Sequence, residues 1–138
     1  MMSNIARYAA ALLVLAALAI PAQAQTATPS HTWTLHVAEQ IATALDSPRA
    51  AVQERTMQLV IELAHRYPEV DLAPVVPGLL KIYRWDRDRG HRLMALAALH
   101  AVGDEYGMAR LADLGGRDPS LTVRNLTYAA VADHRARQ

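Results

Sequence analysis

The sequence contains no cysteine and no phenylalanine, and aromatic residues make up only 5% of its 138 residues. The absence of cysteine excludes disulfide bonds, thiol catalysis, zinc sites built from thiolates and a lipid-modified N-terminal cysteine. An excess of one charge sign is also absent, because 14 basic and 13 acidic residues leave a formal charge of +1. That balance gives no indication of nucleic-acid binding. Hydrophobic residues make up 52% of the chain and charged residues 20%, which is typical of a folded protein, and the length fits one small domain.

The N-terminus has the pattern of a secretory signal peptide. Arg7 supplies positive charge, and residues 9–20 form an uninterrupted apolar run. Ala22 and Ala24 place small residues at the two positions that a signal peptidase recognises. We therefore predict a signal peptide over residues 1–24, cleavage after Ala24, and a periplasmic or secreted protein. An uncleaved anchor is the alternative, although the run is shorter than the roughly 20 apolar residues of a membrane-spanning helix.

The chain that would remain after cleavage has as many basic as acidic residues. This balance argues against electrostatic capture by anionic membranes or by nucleic acid. No membrane-spanning segment is expected in that chain. Residues 25–33 are predicted to form a polar linker, and residues 34–138 to form one helical repeat domain.

Apolar residues from Thr34 onward recur at helical rather than alternating spacing, which predicts an all-α protein. Ser47 and Asp118 are expected to cap helices, each with proline at the first helical position. Pro77 leaves two alternatives, because a helix either begins there or is kinked there. The predicted helices run from Thr34 to Leu45, from Ser47-Pro48 to Tyr67, from Asp71 to Arg84, from Arg89 to Val102, from Asp104 to Leu114, and from Asp118-Pro119 to His134.

Two of these helix starts match each other at a constant offset along the chain. The segment 47–53 aligns with the segment 118–124, and the match continues at the same offset with Thr56 over Thr127. A middle copy lies between them and places Arg92 at the position that Gln53 and Arg124 hold in the outer copies. Each of the two steps spans roughly 30–40 residues, and a period of this length, built from helix pairs, is typical of α-solenoids.

The segment 118–124 (Asp-Pro-Ser-Leu-Thr-Val-Arg) resembles the opening helix of a HEAT or HEAT-like repeat. The segment 92–99 (Arg-Leu-Met-Ala-Leu-Ala-Ala-Leu) is similar to the same helix one unit earlier. The resemblance implies a short α-solenoid of antiparallel helix pairs, about two and a half repeats long. It also implies an aspartate–arginine ladder in which Arg92 and Arg124 hold the arginine positions. Gln53 departs from the family pattern, which suggests that the first unit is an end cap.

The last predicted unit lacks a second helix to cover its first. Leu121 and Tyr128 would then lie on a different flank from the side chains that face the preceding pair. They either tuck against the loop at 115–116 or form an interface, and the second alternative predicts a homo-oligomer through the C-terminal helix. The side chains expected to face inward are Val123, Leu126, Ala130 and Val131.

Residues 81–92 carry the densest cluster of charge, with aromatic side chains interleaved. The guanidinium group of arginine forms paired hydrogen bonds with carboxylates and phosphates, and tryptophan is a frequent anchor of protein contacts. The alternative is an ordinary inter-repeat turn, in which aspartates cap the next helix and arginines pair with neighbouring carboxylates. The predicted partner-binding surface, on the side formed by the second helices, consists of Lys81, Arg84, Trp85 and Arg110.

The sequence predicts no catalytic residue, no cofactor site and no metal site. The six histidines lack metal-ligand spacing, and no serine sits in a nucleophile elbow or a glycine-rich phosphate loop. Some HEAT-like enzymes bind iron through His-Glu dipeptides, and the sequence contains none. These patterns favour an exported HEAT-like repeat protein that is not an enzyme and that binds or scaffolds a protein or peptide partner. The alternative is a metal- or small-ligand-binding protein, or an enzyme, whose histidines are brought together by the fold.

Overall fold

The computed structural model describes residues 31–138. The predicted signal peptide and residues 25–30 of the predicted linker lie outside that range. Within it the chain forms α-helices and no strand, which confirms the all-α class. None of these helices combines the length and the apolar character needed to span a membrane. The helices are α1 (His31–Leu45), α2 (Ala50–Arg66), α3 (Val76–Trp85), α4 (Arg89–Val102), α5 (Glu105–Leu114) and α6 (Leu121–Ala136), with short 3-10 turns at Ala73–Val75 and Gly115–Arg117.

The boundary between α4 and α5 lies where the sequence predicts it. Gly103 follows the end of α4 in the left-handed conformation, with φ of 64°, which terminates helices and favours glycine. Asp104 then caps α5, because its carboxylate accepts a hydrogen bond from the Gly107 N–H at 2.8 Å. The stop signal and the start signal are adjacent in sequence and require no distant contact.

The starts of α2 and α6 lie later than predicted. Arg49 and Ser120 are the residues at the N-caps, two positions after Ser47 and Asp118. The side chains of Ser47 and Asp118 accept the N–H groups of these cap residues, at 3.2 and 2.8 Å. The two residues predicted to cap the helices therefore form the turns that precede them.

The structure decides between the two alternatives for Pro77. A 3-10 turn precedes α3, and α3 begins at Val76 with Pro77 in its first turn, where the missing N–H is tolerated. The helix therefore begins at this proline and is not kinked by it. α1 begins at His31, before the predicted start at Thr34.

The six helices pack in two layers. Helices that follow each other contact within the pairs α1–α2, α3–α4 and α5–α6. In addition, α2 contacts α4 and α4 contacts α6, while α1 contacts α3 and α3 contacts α5. The even-numbered helices thus form one layer and the odd-numbered helices the other.

One hydrophobic core joins all six helices. Two polar side chains, Thr56 and Thr127, are buried at equivalent positions of α2 and α6. Each hydroxyl donates to the carbonyl four residues earlier, at 2.7 and 2.8 Å, and the Thr127 hydroxyl also bonds the Tyr83 hydroxyl at 2.7 Å. Burial raises the pKa of Tyr83 above its ordinary value. Large side chains that are fully buried include Leu45, Met57, Leu79, Leu99, Leu111 and Val123.

The predicted orientation of α6 is correct for Val123 and Val131, which are buried, and wrong for Leu126, which is exposed. Leu126 lines a surface groove between α4 and α6. Tyr128 is more than half exposed, although a Cβ atom on Gly116 would lie 2.9 Å from its hydroxyl. The hydroxyl end of Tyr128 therefore lies beside the loop that precedes α6, while more than half of the residue stays exposed.

Candidate functional site

The turns before the three even-numbered helices are built alike. Ser47, Asp86 and Asp118 each use a side-chain oxygen to accept the backbone N–H two residues later, at 3.2, 2.8 and 2.8 Å. Such turns satisfy backbone donors that a helix start leaves free. The turns lie along one side of the molecule, which we call the turn edge and define as residues 46–49, 86–88 and 118–120.

Further along each even-numbered helix, a side chain of the second helical turn reaches back to the chain at the turn edge. Gln53, Arg92 and Arg124 each donate a hydrogen bond to a backbone carbonyl before their own helix, at 3.0, 3.0 and 2.6 Å, and the acceptors are Leu45, Asp86 and Asp118. These residues are the ones that the internal repeat aligns in the sequence. Arg92 and Arg124 therefore make equivalent contacts, each with the carbonyl six residues earlier, whereas Gln53 bonds the last residue of α1, eight residues earlier.

Arg92 makes a further contact that joins neighbouring repeats. Its Nε and Nη2 atoms donate to the two carboxylate oxygens of Asp118, at 2.8 and 3.1 Å. Both side chains are buried, with exposed fractions of 8% and 5%. At the preceding repeat Gln53 stands in place of an arginine, and the Asp86 carboxylate lies 3.2 Å from the His91 ring instead.

A cavity of about 470 Å³ opens on the turn edge beside the Arg92–Asp118 pair. Arg84, Arg87 and Arg117 lie around it, and none of them forms an ion pair with a carboxylate of residues 31–138. Arg92 is paired with Asp118, so these three arginines outnumber the one other carboxylate of the lining, that of Asp86, and the cavity has an excess of positive charge. Its other lining residues are Tyr83, Trp85, Asp86, Leu114 and Pro119.

Trp85 is the most exposed large apolar side chain of the described residues, at 68%. The Arg84 guanidinium carbon lies 4.4 Å from the centre of its ring, in a cation–π contact. Trp85 also lines a smaller cavity of about 180 Å³, which it shares with Asp46 and Lys81. The indole therefore stands between two depressions on the turn edge.

Lys81 and Arg110, the other two residues of the predicted surface, already have carboxylate partners. Lys81 Nζ lies 3.1 Å from Asp46, and both side chains are exposed. Arg110 lies 3.5 Å from Asp113, one turn along α5, and lines neither of the two cavities. The structure thus brings Lys81, Arg84 and Trp85 together at the end of α3 and leaves Arg110 outside this group.

Three histidines lie beside carboxylates, and one of these contacts, His36 with Glu39 at 3.9 Å, is exposed. Apart from the His91–Asp86 contact, His100 of α4 lies 2.7 Å from Asp133 of α6, at a groove of about 380 Å³ between these helices. The hydrogen bond with His100 lowers the pKa of Asp133 below its ordinary value, and Arg137 acts in the same direction. Within residues 31–138 no group of three His, Asp or Glu side chains could hold a metal ion.

Sequence reasoning missed two parts of this arrangement. Arg117 stands next to Asp118 in the chain, but only folding brings it to the same cavity as Arg84. His100 and Asp133 are far apart in the sequence, and no local pattern marks them as partners. The internal repeat could have pointed to the second pair, because it predicts that α4 and α6 lie side by side.

Comparison of the chain with protein-family models, with curated proteins and with solved structures finds no match of any of the three kinds.

Proposed function

We propose that this protein is an exported, HEAT-like repeat protein that binds a protein or peptide partner at the turn edge, around Trp85. The observation that carries the proposal is the exposed indole with Arg84 stacked on it, beside a cavity where Arg84, Arg87 and Arg117 have no carboxylate partner within residues 31–138. Exposed tryptophan and arginine side chains are the residue types most enriched among binding hot spots.

The HEAT-like solenoid assignment is supported by the internal repeat. Equivalent turns, equivalent reach-back hydrogen bonds and two layers of alternating helices recur along the chain. A repeat protein of this kind offers one continuous edge to which every unit contributes. That edge suits an extended partner better than a small molecule.

The charge of the site favours an acidic partner. The guanidinium groups of Arg84, Arg87 and Arg117 form no ion pair with a carboxylate of the described chain. A carboxylate of the partner can therefore accept two parallel N–H hydrogen bonds from one of them. The apolar surface of Trp85 supplies contact area beside the charges. We therefore expect acidic peptides with a neighbouring apolar side chain to bind best.

Fluorescence of Trp85 tests this proposal directly. In a Trp33→Phe variant Trp85 is the only tryptophan, so its emission reports on the turn edge. Titration with a hexaglutamate peptide ending in leucine should change the emission with saturation, while a hexalysine peptide should not. Arg84→Glu and Arg117→Glu should each weaken the affinity by about tenfold.

Arg110→Glu is the matched control, since Arg110 lies outside the cavity. It should change the affinity much less than the other two reversals. Equal losses at all three arginines would indicate only a general charge effect. The absence of saturation with the acidic peptide would contradict the proposed site.

Export is a separate part of the proposal and rests on the sequence of residues 1–24. We expect the protein isolated from the periplasm or the medium to begin at Gln25. Mass spectrometry of the purified protein measures its N-terminus. A chain that keeps residues 1–24, or that stays in the cytoplasm, would contradict this part.

The alternative, a metal- or small-ligand-binding protein, has one observation in its favour, which is the His100–Asp133 contact beside a groove. It predicts stoichiometric metal in the purified protein, measured by elemental analysis and lost in His100→Ala. Protein that contains no metal, and whose melting temperature zinc leaves unchanged, would argue against a metal site at this pair.

A further inference from the structure

The repeated contacts on the turn edge indicate a second docking position, separate from the cavity near Trp85. Arg92 shows which contacts an arginine makes at this repeated position when the turn of another repeat lies beside it. Its Nη1 atom donates to the Asp86 carbonyl in the turn before its own helix. Its Nε and Nη2 atoms donate to the Asp118 carboxylate in the next turn. The pair is buried because α6 and its turn cover it.

Arg124 has the same position on α6 and makes only the first of these contacts. Its Nη1 atom donates to the Asp118 carbonyl at 2.6 Å. No carboxylate of residues 31–138 forms an ion pair with it. The Nε and Nη2 edge, which in Arg92 binds an aspartate, is therefore available.

The surface beside Arg124 is equivalent to the covered face of α4. Leu96 of α4 is 4% exposed, because α6 packs beside it, whereas Tyr128, the residue that the repeat aligns with it in α6, is 54% exposed. Leu121 is exposed as well. We call this surface the open face of α6 and define it by Leu121, Arg124, Asn125, Tyr128 and Ala132.

The charge of the open face indicates what can cover it. Arg124 lacks a carboxylate partner in the described chain, and the face contains no acidic side chain. Two copies joined through this face would bring like charges together, which is unfavourable. A partner that supplies a carboxylate would instead repeat the arrangement of Asp118 on Arg92.

We propose that the open face of α6 docks a helix of another protein, and that an aspartate or glutamate in the turn before that helix pairs with Arg124. The carboxylate receives the Nε and Nη2 donors, and apolar side chains of the docked helix lie against Tyr128 and Leu121. This surface is independent of the turn-edge cavity, so either proposal can fail alone.

Photo-crosslinking of the full chain in the cells that produce it tests the proposal. A photoreactive benzoylphenylalanine in place of Tyr128 should give one adduct, and the crosslinked partner segment should contain an acidic residue. Arg124→Gln should reduce the adduct by about tenfold. This variant is conservative, because Gln53, at the aligned position of the first repeat, also donates a hydrogen bond to a backbone carbonyl before its own helix, that of Leu45.

Arg135→Gln is the matched control, since Arg135 also lies on α6 without a carboxylate partner in the described chain but has no equivalent of the Arg92 contact. It should leave most of the adduct. A charge swap then identifies the pair: Arg124→Asp should abolish the adduct, and changing the crosslinked acidic residue to arginine should restore it.

Several outcomes would overturn the proposal. They are the absence of any adduct, an adduct with lipid, an adduct with a second copy of the chain, and an adduct that Arg124→Gln leaves unchanged. Arg84→Glu should have no effect on the adduct, which separates this result from the fate of the turn-edge cavity.

Discussion

Arg92 is the residue whose side chain joins two neighbouring turns of the molecule. It bonds the carbonyl groups of Asp86 and Arg87 in the turn before its own helix, and it binds both oxygens of Asp118 in the next turn. Asp118 in turn accepts the Ser120 N–H, so one carboxylate fixes both a helix start and a contact between units. Removing one member of such a buried pair leaves the other charged and without a partner.

Replacing Arg92 by glutamine should therefore be costly. We expect Arg92→Gln to lower the free energy of unfolding by about 3–5 kcal/mol, because Asp118 stays buried without its cation. Urea unfolding followed by circular dichroism measures this change. Lys81→Gln is the control, since the Lys81–Asp46 pair is exposed and should contribute at most about 1 kcal/mol. Equal losses in the two variants would contradict the role given to burial.

Asp133 should make the stability depend on pH in acid. Its pKa in the folded protein is lowered, chiefly by the hydrogen bond with His100, so the unfolded chain binds the proton more readily. The stabilisation is thus present above the unfolded pKa of about 3.9 and is lost as pH falls through the lower folded value. We expect Asp133→Asn to flatten the fall of the melting temperature between about pH 5 and about pH 2. Superimposable pH profiles for the two proteins would argue against this contribution.

The helices differ in how far local sequence determines their ends. Gly103 and Asp104 act on their own backbone, and the sequence is sufficient to place that boundary. Asp118 has the sequence pattern of a cap, yet it forms a turn and pairs with the distant Arg92, while Ser120 caps α6. A contact between distant residues decides such a position, and local patterns do not reveal it.

The same distinction applies to the candidate site. Arg84 and Trp85 are adjacent in the sequence, and both the charge cluster and the aromatic residue marked them as candidates. Arg117 and the His100–Asp133 pair depend on which helices become neighbours, and no signal near these residues supplies that information. The sequence was therefore sufficient to predict the part of the site at the end of α3, and not the part that other helices bring to it.

The loop between α5 and α6 passes close to α6. Replacing either of its two adjacent glycines by alanine should therefore change the stability, but by different amounts. A Cβ atom on Gly115 would lie 2.7 Å from Cγ2 of the fully buried Thr127, whose branched side chain cannot rotate away. A Cβ atom on Gly116 would meet only the Tyr128 hydroxyl, at the tip of an exposed side chain.

We therefore expect Gly115→Ala to destabilise the protein by about 1–3 kcal/mol, because α6 must shift to relieve the overlap. Gly116→Ala should change the stability by less than about 0.5 kcal/mol. Thermal unfolding of the two variants and the parent measures the difference. A larger loss at Gly116 would show that the loop and α6 are not held at the distance described.

At the scale of the whole molecule, the helices share one core rather than separate local cores. Buried side chains of α1, α2, α3, α4, α5 and α6 form a single contact cluster. A unit of two helices cannot cover its own apolar face, so each pair depends on its neighbours. We infer that the repeats do not unfold one at a time.

Single-tryptophan variants test that inference. Trp33 of α1 lies edge-on to Tyr67, with ring centres 6.2 Å apart, and Trp85 ends α3. Trp33→Phe and Trp85→Phe leave one reporter at each place. We expect the urea transition of each reporter to coincide with that of its helical circular dichroism signal. An earlier transition for Trp33 alone would mean that α1 detaches before the remaining helices.

The ties between elements also bear on how fast the chain finds its native state. The Arg92–Asp118, His100–Asp133, Lys81–Asp46 and Tyr83–Thr127 contacts join residues 26, 33, 35 and 44 positions apart. Most of the other contacts lie within helices or between helices that follow each other, and helical proteins rich in such contacts fold in milliseconds or faster. Stopped-flow refolding should find most of the fluorescence change complete within the dead time or the first milliseconds. A newly synthesised chain would then spend very little time with its apolar surfaces open to proteases and to other unfolded chains.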